Sequence, residues 1–233
     1  YSETNVRQEG VDEGDTAKTD GTYLYVLKDK SDQIAIIDTR DNRMKQTATI
    51  TVEDVSEIQE MYLDIERNQL IAVCDGYVGG KWNDDDYGYG QRANTTAVTY
   101  DISDRENPKE VGRVSQSGYY NSSRIADGYL YLFSDYYVTL DGITAKNPKS
   151  YIPLVNDNLI KETDICLPSI SKADMYSIIT SVSLENPNET AHSKALLADG
   201  GNLYVSNDNI YFYENVWQYS GKDVTTIRKV SYE

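Results

Sequence analysis

The chain has little of what most active sites are built from. It contains one histidine, His192, and two cysteines, Cys74 and Cys166. Two cysteines are too few for a disulfide scaffold and do not have zinc-site spacing, although a single bridge between them stays open. Positive charge is also scarce. Lys and Arg number 22 against 38 Asp and Glu, a formal net charge of -16. A surface of that sign repels phosphates, which excludes nucleic acid as a partner, and it repels anionic membrane surfaces as well. No run of 18 or more apolar residues occurs, so nothing in these residues inserts into a membrane. No signal peptide is recognisable, but the chain begins at Tyr1, so a leader before it stays open. The acidity itself serves solubility.

Period-two alternation is abundant, and helical periodicity is almost absent. Tyrosine dominates the aromatics, 21 against two phenylalanines. That bias suits pleated, half-buried surfaces with a polar tip left for water or a ligand. "TYLYVL" (22–27), "QIAIID" (33–38) and "KQTATITV" (45–52) each predict a short strand between polar turns.

This grammar recurs. A first strand type, introduced by an Asp/Asn/Gly turn, is centred on Leu24, Leu70, Leu130 and Leu203, at spacings of 46, 60 and 73 residues. A second type follows at 33–39, 95–103, 176–184 and 225–233, and a third in "MKQTATITV", "KEVGRVSQS" and "AHSKALLAD". Asn107-Pro108 and Asn186-Pro187 mark turns between them. A repeat of roughly 45 residues made of short antiparallel strands is the signature of propeller blades. The expected architecture is therefore all-β, about three and a half blades of a β-propeller. Blade 1 covers about 20–64, blade 2 about 65–126, blade 3 about 127–199 with an inserted segment at 139–174, and an incomplete blade 4 about 200–233. Further insertions are expected at 75–94 and 207–224, mapping to loops on one face. Propellers usually close with more than four blades, so the count predicts a fragment of a larger ring, with more blades beyond Glu233 or an open edge covered by another chain.

Several stretches resemble one family. "TNVRQEGVDEGDTAKTDGTYLYVL" (4–27), "EIQEMYLD" (57–64), "YDISDRENPKEVG" (100–112), "SRIADGYLYLFS" (123–134) and "SKALLADGGNLYVSNDNIYF" (193–212) occur in the order found in the secreted C-terminal β-propeller family of bacteria and archaea, distant relatives of WD-repeat propellers. The resemblance covers most of the chain outside the third-repeat insertion. It departs at Arg7, Gln8, Gly14, Thr16 and Ala17, where the family is more apolar. It implies a propeller at the cell surface or outside the cell, and it supplies no activity.

Two loops attract chemical interest. In "KWNDDDYGYG", Asn83, Asp85 and Gly88 stand at the first, third and sixth positions of an EF-type calcium loop, with Asp84 and Asp86 adding carboxylates. Tyr87 stands at the fifth position and Asn94 at the twelfth, where a glutamate is wanted, so the pattern is partial. The acidic lead-in from Glu9 to Asp20 is the other, but Asp20-Gly21 is matched by Asp127-Gly128 and is turn punctuation. Only "EGVDEGD" has no later copy, which suggests that it pairs with a last blade that lies beyond these residues.

Aromatic residues gather in the expected insertions: Trp82, Tyr87, Tyr89, Tyr136, Tyr137, Tyr213 and Trp217 form a candidate contact surface. Rings of this kind give rigid contact area with a hydrogen-bonding tip. Cross-strand packing in long hairpins is the competing explanation. No nucleophile elbow is present, and Ser193 follows His192 in an expected strand, so their side chains point to opposite faces. The leading expectation is a non-catalytic extracellular or cell-surface module binding a protein or carbohydrate partner. The alternatives are a hydrolase-type enzyme with carboxylates near the propeller axis, or a calcium-stabilised structural domain.

Overall fold

A computed structural model describes residues 11–29, 31–40, 44–77, 93–138, 146–167, 174–197, 202–206, 209–217 and 223–231. The first sheet holds β1 (Ala17–Thr19), β2 (Tyr23–Leu27), β3 (Gln33–Asp38) and β4 (Lys45–Thr51) as an antiparallel meander. The second holds β5 (Glu57–Asp64), β6 (Gln69–Tyr77), β7 (Ala93–Asp101) and β8 (Lys109–Ser117) in the same order. The third opens with β9 (Tyr119–Ala126) and β10 (Tyr129–Tyr137). The inserted segment then supplies β11 (Leu154–Val155), β12 (Asn158–Leu159) and β13 (Ile165–Cys166) before β14 (Met175–Ser183) and β15 (Thr190–Leu197) complete that sheet. The fourth has β16 (Asn202–Val205), β17 (Asn209–Trp217) and β18 (Asp223–Ser231).

Alternation on the second strands explains how the sheets stack. On β6, Leu70, Ala72 and Cys74 enter a core with Tyr25, Ile34 and Ile36 of the first sheet. Ile71 and Val73, on the opposite face, enter a second core with Leu130 and Leu132 of β10. Tyr131 and Phe133 of β10 then face Ile210 and Phe212 of the fourth sheet. The second and third sheets are thus each sandwiched between two neighbours, and each fully buried aliphatic in these cores contributes roughly 1.5–3 kcal/mol. Face-to-face stacking of successive four-stranded meanders is propeller architecture. No strand of the first sheet pairs with the fourth among the described residues, as expected of a partial propeller.

Loops between third and fourth strands fasten each sheet to the one before it. Arg105, from the loop after β7, donates to Asp20 (3.1 Å) and to the Tyr25 hydroxyl (3.2 Å) in the first sheet, and to Asn68 (3.0 Å) in its own. In the third sheet the Asn-Pro loop does the same work. The Asn188 amide donates to the Val111 carbonyl (2.8 Å), and its oxygen accepts from the Arg113 N–H (3.2 Å). Pro187 lies so close to Gly112 that a Cβ there would stand 2.5 Å from the proline Cβ.

Two findings correct the sequence-based layout. First, the sheets begin one strand earlier than expected: "EIQEMYLD" is β5, the first strand of the second sheet, and β9 opens the third. These first strands turn polar residues such as Glu60 and Ser123 inward, so apolar alternation does not mark them. Second, "NIYFYENVW", expected within the insertion at 207–224, is not an inserted loop but β17. Ile210, which pairs with Val205 and Val230, is the counterpart of Leu130, which pairs with Ile125 and Val182. Leu203 lies one strand earlier, on β16. The last spacing is therefore 80 residues rather than 73.

The inserted segment of the third repeat covers edges rather than projecting only as a loop. β11 pairs with β8, the last strand of the second sheet, and β13 pairs with β15, the last strand of the third. Val155 and Ile160 enter the core between those two sheets. The acidic lead-in covers the opposite edges. Asp12 and Ile125 exchange backbone hydrogen bonds (2.9 and 3.1 Å), and so do Asp15 and Met61 (3.1 and 3.0 Å). The described part of "EGVDEGD", residues 11–15, thus straps together the first strands of the second and third sheets, which corrects the expectation that this segment pairs with a last blade beyond these residues.

Candidate functional site

Two edges of the molecule concentrate polar side chains. Along the first strands, under the strap, lies a buried network. The Tyr62 hydroxyl donates to Glu60 (3.0 Å) and contacts the Ser123 hydroxyl (3.0 Å), and Ser123 also donates to Glu60. Burial, reinforced by the Glu60 charge, pushes the Tyr62 and Tyr120 hydroxyls well above their ordinary pKa. Gly14 of the strap presses on Glu60, where a Cβ would fall 2.3 Å from the glutamate Cδ. The strap's own acids are partnered: Asp12 with Lys18 (3.5 Å) and Glu13 with Arg124 (3.4 Å). Chemically, this arrangement holds a strap in place, and its carboxylates sit against cations or hydroxyl donors.

The second concentration lies where second strands end and the connections to third strands leave. β6 and β10 are both nine residues long and repeat each other position for position. Their seventh residues are Asp75 and Asp135, and their ninth are Tyr77 and Tyr137. On β17 the same positions hold Asn215 and Trp217. Asp75 accepts from the Tyr120 N–H of the third sheet (2.8 Å) and from the Gln59 amide (2.9 Å). Asp135 accepts from the Asn121 amide (2.6 Å) and the Ser177 hydroxyl (3.1 Å). Desolvation raises the pKa of both carboxyls, partly offset by these donors. Gly118 holds φ +100, and a Cβ would meet the Asp135 backbone carbonyl at 2.7 Å, so the chain passes β10 here only as glycine.

Above the two aspartates lies an aromatic rim. Tyr119 and Tyr137 form an edge-to-face pair with centroids 6.4 Å apart, and they are 49% and 57% exposed. Tyr77 ends β6 on the same rim, its hydroxyl pKa raised by desolvation and by the nearby Tyr119 and Asp75. Of the aromatic residues expected at a contact surface, Tyr137 lies exposed on this rim. Tyr136 is not: it is 5% exposed and stacks on Tyr176 at 6.4 Å inside the core. Tyr213 is exposed but sits mid-strand on β17, and Trp217 closes that strand. Trp82, Tyr87 and Tyr89 lie outside the described residues, as do the calcium candidates Asn83, Asp84, Asp85 and Asp86. Among the described residues no group of three or more His, Cys, Asp or Glu is placed to hold a metal ion. His192 is an exposed residue of β15, and its neighbour Ser193 contacts Thr180 (3.2 Å). Asp75 and Asp135 escaped the sequence reading. Their signal was an aspartate at the same repeat position within two otherwise apolar strands.

A family model described as a beta propeller domain matches residues 1–233. An uncharacterised protein of Methanocaldococcus jannaschii is 25% identical over 224 residues, which cover 93% of this chain and 29% of that protein. The chain thus spans less than a third of that relative's length. No solved structure matches. With stacked four-stranded meanders on the one hand and a family match running from first residue to last on the other, this chain belongs to the family of β-propeller domains.

Proposed function

We propose that the domain is a non-catalytic binding and scaffolding module, and that it engages a protein or carbohydrate partner through the tyrosine rim at the ends of its second strands. The observation that carries this reading is the exposed Tyr119–Tyr137 pair. Both rings are mounted on strands of one rigid sheet, so little conformational entropy opposes their use as anchors. Tyrosines presented this way combine apolar area with a hydroxyl tip, which suits the centre of an interface or the face of a sugar ring. The repeat extends the rim to Tyr77. A site outside the cell or at its surface is part of the same proposal, following the family resemblance.

The test is a binding screen of the domain against a glycan array and against proteins of the same cell surface, with a Tyr119→Ala/Tyr137→Ala double variant as control. The expected result is a partner whose affinity falls roughly tenfold to a hundredfold in the variant, as for hot-spot aromatics. The melting temperature should stay near that of the wild type. A partner bound equally well by the double variant would place the interface elsewhere and overturn the proposal.

A further inference from the structure

Two second strands open on the same three residues. β2 begins Tyr23-Leu24-Tyr25 and β10 begins Tyr129-Leu130-Tyr131. Alternation turns both tyrosines of each strand toward the following sheet: Tyr23 and Tyr25 join the core shared with the second sheet, and Tyr129 and Tyr131 the core shared with the fourth. An aspartate stands in the turn before each pair, Asp20 three residues ahead of Tyr23 and Asp127 two residues ahead of Tyr129.

In the first sheet this constellation is occupied. The Arg105 guanidinium lies over the Tyr23 ring (5.7 Å to the centroid), donates to the Tyr25 hydroxyl (3.2 Å) and pairs with Asp20 (3.1 Å). Ring face, hydroxyl oxygen and carboxylate together match a planar cation with N–H groups around its edge. The second sheet supplies an internal contrast. Gln69 and Ile71 stand where the tyrosines would be. The loop arriving there from the third sheet carries Pro187 four residues past the end of β14, as Arg105 stands four residues past the end of β7. Where the tyrosines are absent, the arginine is absent too.

The third sheet has the tyrosines and the aspartate again, with a cavity of about 380 Å³ against both rings, closed on the far side by Val230 and Ser231 of β18. Its wall is more polar than the first interface. Ser181 and His192 stand in register with Tyr131 where Ile36 and Ala48 stand in register with Tyr25. Desolvation raises the Tyr25 and Tyr131 hydroxyls to about 12, and the turn aspartate adds to the rise in both, so the Asp127 charge is felt at the cavity. Lys194 also lines it, but its ammonium is held by Asp164 (3.0 Å). Arg228 of the facing sheet stands beside Phe212 and is not among the lining residues. The loop equivalent to that of Arg105 follows Ser231, outside the described residues.

We propose that Asp127, Tyr129 and Tyr131 form a second guanidinium socket, which takes an arginine side chain from the loop after β18 or from a partner polypeptide. It lies at the opposite end of β10 from the Tyr119–Tyr137 rim and does not depend on it. The probe is N-acetylargininamide, titrated into the full chain with ring-labelled tyrosine and followed by NMR at about pH 8, where an ordinary histidine is neutral. The Tyr129 and Tyr131 ring signals should shift saturably. N-acetyllysinamide should bind roughly threefold or more weakly, since it lacks the planar fork. N-acetylcitrullinamide, of the same shape without the charge, should give no shift. Asp127→Asn keeps a residue suited to the left-handed turn (φ 48) and should lower argininamide affinity roughly tenfold, as expected for a lost charge-assisted bond. Tyr129→Leu removes the ring face and should weaken binding roughly threefold, read on the Tyr131 signal. Tyr137→Ala, in the rim, should leave the response intact, which separates failure of this socket from failure of the rim. In a longer chain carrying the loop after β18, displaced tyrosine signals that no longer respond to the probe identify that loop as the source of the arginine. An unchanged response there leaves the socket to a partner. Absence of a saturable shift, an equal response to the lysine or citrulline derivative, or wild-type affinity in Asp127→Asn would overturn the proposal.

Discussion

Individual residues in this fold act mainly through how they are buried. Cys74 lies in the core between the first and second sheets with its thiol pushed far up in pKa by burial, whereas Cys166 is exposed, and the two are not bridged. A thiol reagent should therefore titrate one cysteine in the native protein and two after unfolding in denaturant. Asp20 and Asp75 make an opposed pair. Desolvation works to raise the Asp20 pKa, but the N–H groups of Tyr23 and Thr22, with Arg105 and Tyr25, outweigh it and bring it below 3.8. Its stabilising contribution is then present above 3.8 and lost as the pH falls through its folded value. For Asp75 desolvation wins, so its contribution is fully present below 3.8 and is lost as the pH rises through the raised value. Urea unfolding across pH 2–7 should show both slopes, a span of roughly five units that brackets ordinary carboxyl titration. The advantage of wild type over Asp20→Asn should shrink on the acid side. Asp75→Asn should gain on wild type as the pH rises from 3.8. Difference curves running parallel for the two variants would contradict these assignments.

Among the elements, legibility followed the environment of each strand. Second, third and fourth strands were readable because one or both faces are apolar: "QIAIID" and "KEVGRVSQS" coincide with β3 and β8. First strands were not, because β5 and β9 carry Glu60, Tyr62, Tyr120 and Ser123 in a partly buried network of polar groups that breaks alternation. The fourth sheet was misregistered because "GGNLYVS" carries the turn and leucine of a second strand while occupying a first. Of the site, Tyr137 was visible as an exposed aromatic, but the rim itself depends on Tyr119 meeting it across β9 and β10. The interlocking loops predict a sharp local sensitivity. Gly112→Ala forces a methyl group into Pro187, where backbone atoms stand within 2.6 Å, and overpacking of that kind costs about 1–3 kcal/mol. Chemical denaturation should register it as a lowered midpoint with unchanged slope. Ile160→Ala, in the edge-covering segment, removes a core side chain 6% exposed and should cost about 2 kcal/mol or more by the same measurement.

For the molecule as a whole, stability rests on stacked faces and on two covers, one along the first strands and one along the last. The strap joins sheets through four backbone hydrogen bonds and through Val11, buried at 5% exposure, with ion pairs that are partly solvated. Raising salt should change its contribution by less than about 1 kcal/mol, since exposed pairs are weak and screened. Removing residues 1–16 should cost roughly 3 kcal/mol, which for a chain of this size lowers the melting temperature by about 5–10 °C. Calorimetry of the truncated protein in low and high salt tests both statements.

The same strap has a consequence in time. Asp12 leaves the ribosome before its partner Ile125, which follows more than a hundred residues later. At cellular synthesis rates of roughly 5–20 residues per second, that is a wait of about 6–20 s. The strap is thus made before the strands it joins, and it can dock only on sheets that have already formed.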